Sequence, residues 1–370
     1  MKKVRQLNFE ILRIIAMLMI VCLHYLGKGG ALVPVTEEFG LNGYIAWLIE
    51  AFCLVSVNIY VLISGYFGSG STFSLRKIGR IWLQVLFYSV VIGIIMLTVM
   101  GMWKCMDIYT IFGYVFPVVT EHYWFATAYL LLYVLMPFLN AGFEMLEQKI
   151  VKRIIILLVV FSSVAKSLLP MDLPLDKAGY DVLWFICLYL TGAYIREYRI
   201  GLLKRRLHGL ILYVACSVLT FAGMLVLRAL YFEKGMFYDM LTYTYSYNHI
   251  LCFMGAVGLF IACDRRGARA ENWDAKVGVG KRMIYRIAGA TFGVYLIHEH
   301  VNLRYWWPGI AECEVYAQGS TVGFLLHMAI TVLVVFTVCA VIEIVRQMVF
   351  RQIELLWITK ERNKDANKEK

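Results

Sequence analysis

The sequence predicts an all-α, polytopic membrane bundle, and three observations carry that fold class. Hydrophobic residues fill 61% of the 370 positions, against roughly 45–50% in soluble domains. Charged residues make up 16%, where soluble chains carry about 25%. Mean hydropathy is +0.70, and the apolar residues gather in runs close to the roughly 20 residues that cross a hydrocarbon core. This composition excludes a soluble enzyme, a nucleic-acid-binding domain and a disordered chain. The net charge of +11 therefore reports topology first. None of the nine cysteines forms a CxxC pair, so neither a disulfide framework nor a metal site is indicated.

Ten runs are expected to span, giving a bundle of about ten transmembrane helices. Leu7–Leu26 comes first; it holds Arg13 and His24 and lacks a small-residue cleavage site, so it is not a cleaved signal peptide. Tyr44–Phe67, Ile81–Trp103 and Tyr123–Phe143 follow as long apolar runs, then the shorter Ile154–Leu169 and Val182–Ile195. Leu207–Phe232, Tyr245–Cys263, Met283–Val301 and Val322–Val345 complete the set. Ile108–Val119 is too short to span and reads as interfacial or re-entrant. With the N-terminus inside, 28 of the 36 Lys and Arg residues fall on inner segments. Five (Lys28, Lys104, Lys177, Lys234, Arg304) fall on outer loops, and Arg13, Lys166 and Arg228 lie within helices. That asymmetry places both termini in the cytoplasm. Residues 1–350 form one transmembrane domain, and 351–370 form a charged cytoplasmic tail.

Ionisable groups inside spanning helices are costly and mark function. Arg13 and His24 are eleven residues apart, three helical turns plus about 20°, so they share one face about 16.5 Å apart along the axis. A cation near the cytoplasm and an imidazole near the outside describe the two ends of a path. The plainer alternative has Arg13 snorkelling or paired with Glu10, and His24 satisfied at the interface. Glu50, in the second helix at nearly the depth of His24, is a candidate to set the imidazole tautomer; Arg228 or Lys166 would serve equally as its partner. Asn58 and Ser64-Gly65 are small or amide groups that let helices approach closely. Arg76 and Arg80 occupy one face at the start of the third run, where they suit a phosphate-bearing ligand or anionic headgroups. His298 and His300 diverge by about 200° on a helix and cannot share an ion.

Five motifs together resemble acyltransferase family 3, the bacterial multi-spanning O-acyltransferases that act on surface glycans. They are Arg13-x10-His24 within Glu10–Ala16 and its sequel, Asn58–Phe67 ending in Ser64-Gly65-Tyr66-Phe67, and Arg76-Lys77-Ile78-Gly79-Arg80. The fourth is His122-Tyr123-Trp124-Phe125 leading to Tyr133 and Pro137–Asn140; the fifth is Thr291–His298. The resemblance implies a multi-pass enzyme of the bacterial inner membrane; unlike some family members, this chain is expected to have no appended extracytoplasmic hydrolase-like domain. It would move an acyl group, usually acetyl, from cytoplasmic acyl-CoA to a hydroxyl of a cell-surface or lipid-linked glycan, with no tightly bound cofactor. Arg13, Arg76 and Arg80 would hold the donor's phosphates. His24, as general base or acyl carrier, and Glu50 would be catalytic. Asn58, His122, Trp124 and His298 would line the acceptor pocket; Trp124 serves equally as an interfacial anchor. Partners are acyl-CoA, the glycan acceptor and membrane lipids, with no nucleic acid, and the sequence sets no oligomeric state. The competing function is a transporter or flippase using the same helical pathway, although no inverted repeat supports it.

Overall fold

The computed structural model of the chain describes residues 6–71, 73–101, 103, 106–169, 177–198, 206–264 and 278–368, with the side chains of 357–368 left out. The loop expected between Asp264 and Arg282 thus lies largely outside the described residues, as do Lys104 and most of the tail's side chains.

Among the described residues every regular element is helical. The order is α1 (Leu7–Gly27), α2 (Leu41–Cys53), α3 (Ser56–Gly68), α4 (Leu75–Val99), α5 (Ile108–Val115), α6 (Trp124–Met145) and α7 (Gln148–Val159). A π-turn, Val160–Val164, joins α7 to α8 (Ala165–Leu168). Then come α9 (Val182–Tyr198), α10 (Arg206–Lys234), α11 (Ile250–Cys263), α12 (Val279–His298), α13 (Trp306–Ile310), α14 (Cys313–Gln318) and α15 (Thr321–Lys368). Helix lies within each of the ten expected runs, in some over only part of the length. Among the described residues seven helical stretches are long and apolar enough to cross a membrane: Leu7–Gly27, Leu41–Gly68, Leu75–Val99, Trp124–Met145, Arg206–Lys234, Tyr238–Cys263 and Thr321–Leu356. The other three fall short for visible reasons. α9 has 17 residues, α7 opens on Lys149, Lys152 and Arg153, and α12 opens on Lys281, Arg282 and Arg286. The second run is interrupted at Leu54–Val55, which separates α2 from α3.

α1 is the central post. Its buried residues (Phe9, Leu12, Ala16, Met17, Ile20, Val21, Tyr25) occur on nearly every side, because α12, α15, α3 and α2 all pack against it. Its end is set by glycine: Lys28 N–H still donates to the His24 carbonyl at 3.0 Å, and Gly30, at φ 72°, turns the chain away. Two crossings rest on the absence of a side chain. A Cβ on Gly65 of α3 would meet the Tyr189 carbonyl of α9. Gly209 of α10 and Gly258 of α11 face each other, each Cβ falling 2.5–2.7 Å from the other's carbonyl oxygen. Such small-residue contacts are how apolar helices associate without a hydrophobic driving force. The short segment is also as expected: α5 has eight residues, capped by Asp107, whose Oδ1 accepts from Thr110 N at 2.8 Å.

Candidate active site

α1, α3, α6 and α12 enclose a cavity of about 330 Å³. α1 contributes Arg13, Met17, Ile20 and His24, the i, i+4, i+7, i+11 pattern of a single helical face. The Arg13-x10-His24 spacing therefore places a guanidinium and an imidazole on one cavity wall, with two apolar side chains between them. Opposite stand Tyr60 and Ser64 of α3, Trp124 and Phe125 of α6, and Thr291 and Tyr295 of α12.

At the Arg13 end, Nη1 donates to Glu10 Oε1 at 2.8 Å, the pairing anticipated as the plainer alternative. It does not withdraw Arg13 from the cavity. Tyr60 OH donates to the Arg13 carbonyl at 2.7 Å and ties α3 to α1 at this level.

At the other end, the hydrogen bonds fix the histidine tautomers. His298 Nδ1 lies 2.6 Å from the Val294 carbonyl oxygen, which can only accept, so Nδ1 carries the hydrogen. In neutral His298 the bare nitrogen is then Nε2, which faces His24 Nδ1 at 2.9 Å. His24 Nδ1 must supply that hydrogen, which leaves His24 Nε2 with the free lone pair. Glu299 Oε2 lies 3.2 Å from the same Nδ1. Glu299 has a side chain only 5% exposed; it also pairs with Lys28, and its Oε1 lies 3.7 Å from Arg304 Nη1. Burial pulls the Lys28 ammonium below its ordinary range, and the Glu299 carboxylate opposes that shift. A helical backbone carbonyl thus orients His24 through His298, and a carboxylate stands ready for the charge that protonation would create.

The remaining sequence candidates separate. Glu50 does not set the His24 tautomer: that role falls to His298, 2.9 Å from His24 Nδ1, with Glu299 beside the same nitrogen. Glu50 lies near Cys22, and its Oε2 is buried without a hydrogen-bond partner. Arg228, one of its alternative partners, instead donates to the Val35 and Glu37 carbonyls, and the Lys166 ammonium lies 4.7 Å above the Tyr243 ring. Asn58 does not line the cavity. Its Nδ2 donates to the Tyr247 carbonyl at 2.8 Å and its Oδ1 accepts from Trp184 Nε1 at 3.0 Å, so it positions the cavity residue Tyr247. Trp124 does line the cavity, packed on Tyr180 and Tyr247. It also borders a second hollow of about 590 Å³ between α6 and α9. His122 sits behind this wall; its Nδ1 donates to the Gly113 carbonyl at 2.7 Å. Burial is the main cause that holds its pKa below the usual 6.5. Arg76 and Arg80 are exposed and line no part of the cavity; Arg80 pairs with Glu354 at 3.0 Å. Ile81, the next residue, does reach the cavity.

Glu299, Lys28, Arg304 and Tyr60 are the site residues that sequence reasoning missed. The available signal was the His298-Glu299-His300 tripeptide, set aside because helical histidines two apart diverge. They do diverge, His298 toward His24 and His300 toward the Ser89 carbonyl at 3.1 Å. But α12 stops at His298, and Glu299, at φ −95°, ψ 2°, has left the helix. Among the described residues no three His, Cys, Asp or Glu side chains gather as metal ligands.

A search of curated proteins and a search of solved structures each return no significant match. The family described as "Acyltransferase domain" (Acyl_transf_3) matches residues 6–344, a span that runs through every cavity-lining residue from Arg13 to Tyr295. By that match over nearly its whole length, the chain belongs to this acyltransferase family, enzymes that transfer acyl groups.

Proposed function

We propose that the chain is a membrane O-acyltransferase, moving an acyl group, acetyl in the first instance, from acyl-CoA to a hydroxyl of a surface or lipid-linked glycan. The observation that carries this reading is one cavity with Arg13 at one end and a tautomer-fixed His24 at the other. His24 Nε2 takes the proton of the acceptor hydroxyl as its oxygen bonds to the thioester carbonyl carbon. The carbon–sulfur bond breaks, and the thiolate leaves with the proton returned by the imidazolium. Glu299 stabilises that imidazolium while it exists, and His298 keeps Nε2 as the basic nitrogen. Arg13 is assigned to the donor's phosphates, with Arg76 and Arg80 at the neighbouring approach and Ile81 leading inward from them. The positive-inside charge pattern supports a donor on the cytoplasmic side.

The test uses purified full-length protein and measures acyl-CoA binding and acylated product for His24→Ala and Arg13→Ala. His24→Ala should bind donor and lose turnover by about 10²–10⁴-fold, the usual contribution of a general base. Arg13→Ala should lose donor affinity as well. Full transferase activity in His24→Ala overturns the base assignment. Solute movement across vesicles without thioester consumption by wild-type protein overturns the reaction.

A further inference from the structure

Beside the His24–His298–Glu299 group lies a cluster of polar atoms that the reaction just described does not use. Arg304 Nε is buried with no hydrogen-bond partner. The ion pair its guanidinium makes, to Glu299 at 3.7 Å, is too long to be a hydrogen bond. That carboxylate is already shared with Lys28 and His24, so two cations surround one anion and a positive charge is left over. Two further buried atoms lack partners close by, His122 Nε2 and Tyr123 OH. Their rings stack at 5.8 Å, and they pack on the His300 ring at 5.7 and 6.2 Å; the His300 carbonyl accepts from Arg304 N at 2.8 Å, which brings Arg304 to the same place. Tyr123 is fully buried and packs edge-on against Tyr295 of the cavity wall at 6.0 Å.

The segment after α12 is held firmly enough to aim these groups. His300 Nε2 donates to Ser89 O, and its Nδ1 accepts from Asn302 N at 3.2 Å. Asn302 Oδ1 accepts from Tyr114 OH at 2.8 Å, and Trp307 Nε1 donates to the His298 carbonyl at 3.1 Å. The Arg304 side chain keeps 34% of its surface exposed, so an anion can reach the guanidinium from outside and complete the buried Nε. Because His122 Nδ1 donates to Gly113, neutral His122 presents Nε2 as an acceptor, and Tyr123 OH can donate or accept. The set therefore offers one cation, one acceptor and one hydroxyl, the complement of a sugar that carries a negative group beside a free hydroxyl.

We propose that Arg304, with His122 and Tyr123, forms an acceptor sub-site that selects an anionic sugar, one bearing a carboxylate or a phosphate. The proposal rests on the acyltransferase reading only for the word acceptor; the sub-site itself stands on the unpartnered groups.

The experiment measures direct binding to the purified full chain in phosphatidylcholine nanodiscs. Methyl glucuronide and glucose 1-phosphate are compared with methyl glucoside, and thioester consumption is followed in the same preparation. Each charged sugar, or one of the two, should bind at least about tenfold more tightly than methyl glucoside, the scale of a charge-assisted hydrogen bond. Arg304→Gln should erase that preference, and Arg304→Lys should retain part of it, having charge without the planar fork. Tyr123→Phe should weaken charged and neutral sugars alike. Adding phosphatidylglycerol tells the two sources of phosphate apart: competition with glucose 1-phosphate marks a lipid headgroup, and its absence marks the sugar's own phosphate. Equal binding of charged and neutral sugars by wild-type protein overturns the sub-site, as does a preference that survives in both Arg304 variants. Should Arg304→Gln fail to fold, Arg304→Lys decides alone: a reduced preference supports the sub-site, and an undiminished one overturns it. Charge preference without thioester consumption would remove the transferase reading and leave the sub-site; the reverse result would do the opposite.

Discussion

Replacing Glu299 by Gln removes a charge and keeps the shape, and it separates two carboxylates that sequence and structure rank differently. The Glu299 side chain is 5% exposed and faces Lys28, Arg304 and His24 Nδ1. Removing one partner of a buried ion pair costs about 3–5 kcal/mol. Here the orphaned cations retain some solvent, Lys28 with 20% and Arg304 with 34% of the side chain exposed, so about 3 kcal/mol is the expected loss of stability. For turnover, His298 at 2.9 Å still holds the His24 tautomer, but nothing neutralises the imidazolium. The expected loss is therefore about 10²-fold, the lower end of what general-base catalysis contributes. Glu50→Gln should change turnover by less than about threefold, because the one contact Glu50 was expected to make belongs to other residues and its Oε2 forms no hydrogen bond to lose. The assay is acyl-CoA turnover and thermal unfolding of each variant in one detergent. If Glu50→Gln costs as much turnover as Glu299→Gln, the assignment of the His24 partner is wrong.

Two other expectations can be checked on the same preparations. Gly209→Ala should destabilise by about 1–3 kcal/mol, since its Cβ would stand 2.5 Å from the Gly258 carbonyl oxygen; an unchanged unfolding midpoint would mean that α10 and α11 do not cross there. The low pKa of His122 means that the folded state binds fewer protons than the unfolded one, so its contribution to stability is present above about pH 6.5 and is lost as pH falls through the lower folded value. His122→Gln should then flatten the fall in unfolding temperature below pH 6.5, and an unaltered slope would remove His122 from that titration.

The α1 wall of the site was legible because a membrane helix makes its exceptions conspicuous. Arg13 and His24 stand out in an apolar run, and 3.6-residue periodicity puts them on one face without any tertiary information. Glu299 was not legible, because its role depends on where α12 stops. No Gly or Pro marks that end in the sequence. The break at Leu54–Val55 is hidden for the same reason, lying in an unbroken apolar run. Arg76 and Arg80 show the reverse limit. Their spacing suits a phosphate, yet spacing alone cannot say that both are exposed at the head of α4 while Ile81 is the residue that reaches inward.

The hydroxyls along the cavity have a chemical polarity of their own. Tyr60 gives its hydrogen to the Arg13 carbonyl, Ser64 to the Tyr60 carbonyl and Thr291 to the Ala288 carbonyl, and all three line the same cavity. With those hydrogens committed to the main chain, the oxygens left facing the space are acceptors. At these three places the wall between the guanidinium and the imidazole offers lone pairs, while the Tyr295 hydroxyl, which also lines the cavity and has no partner, keeps its hydrogen to give. A chain threaded past the three acceptors is matched there when it brings N–H groups and mismatched when it brings only carbonyl or ether oxygens. The secondary amides of an acyl-pantetheine arm meet that requirement; a polyester or polyether of equal length would fill the same volume and leave every one of those oxygens dry.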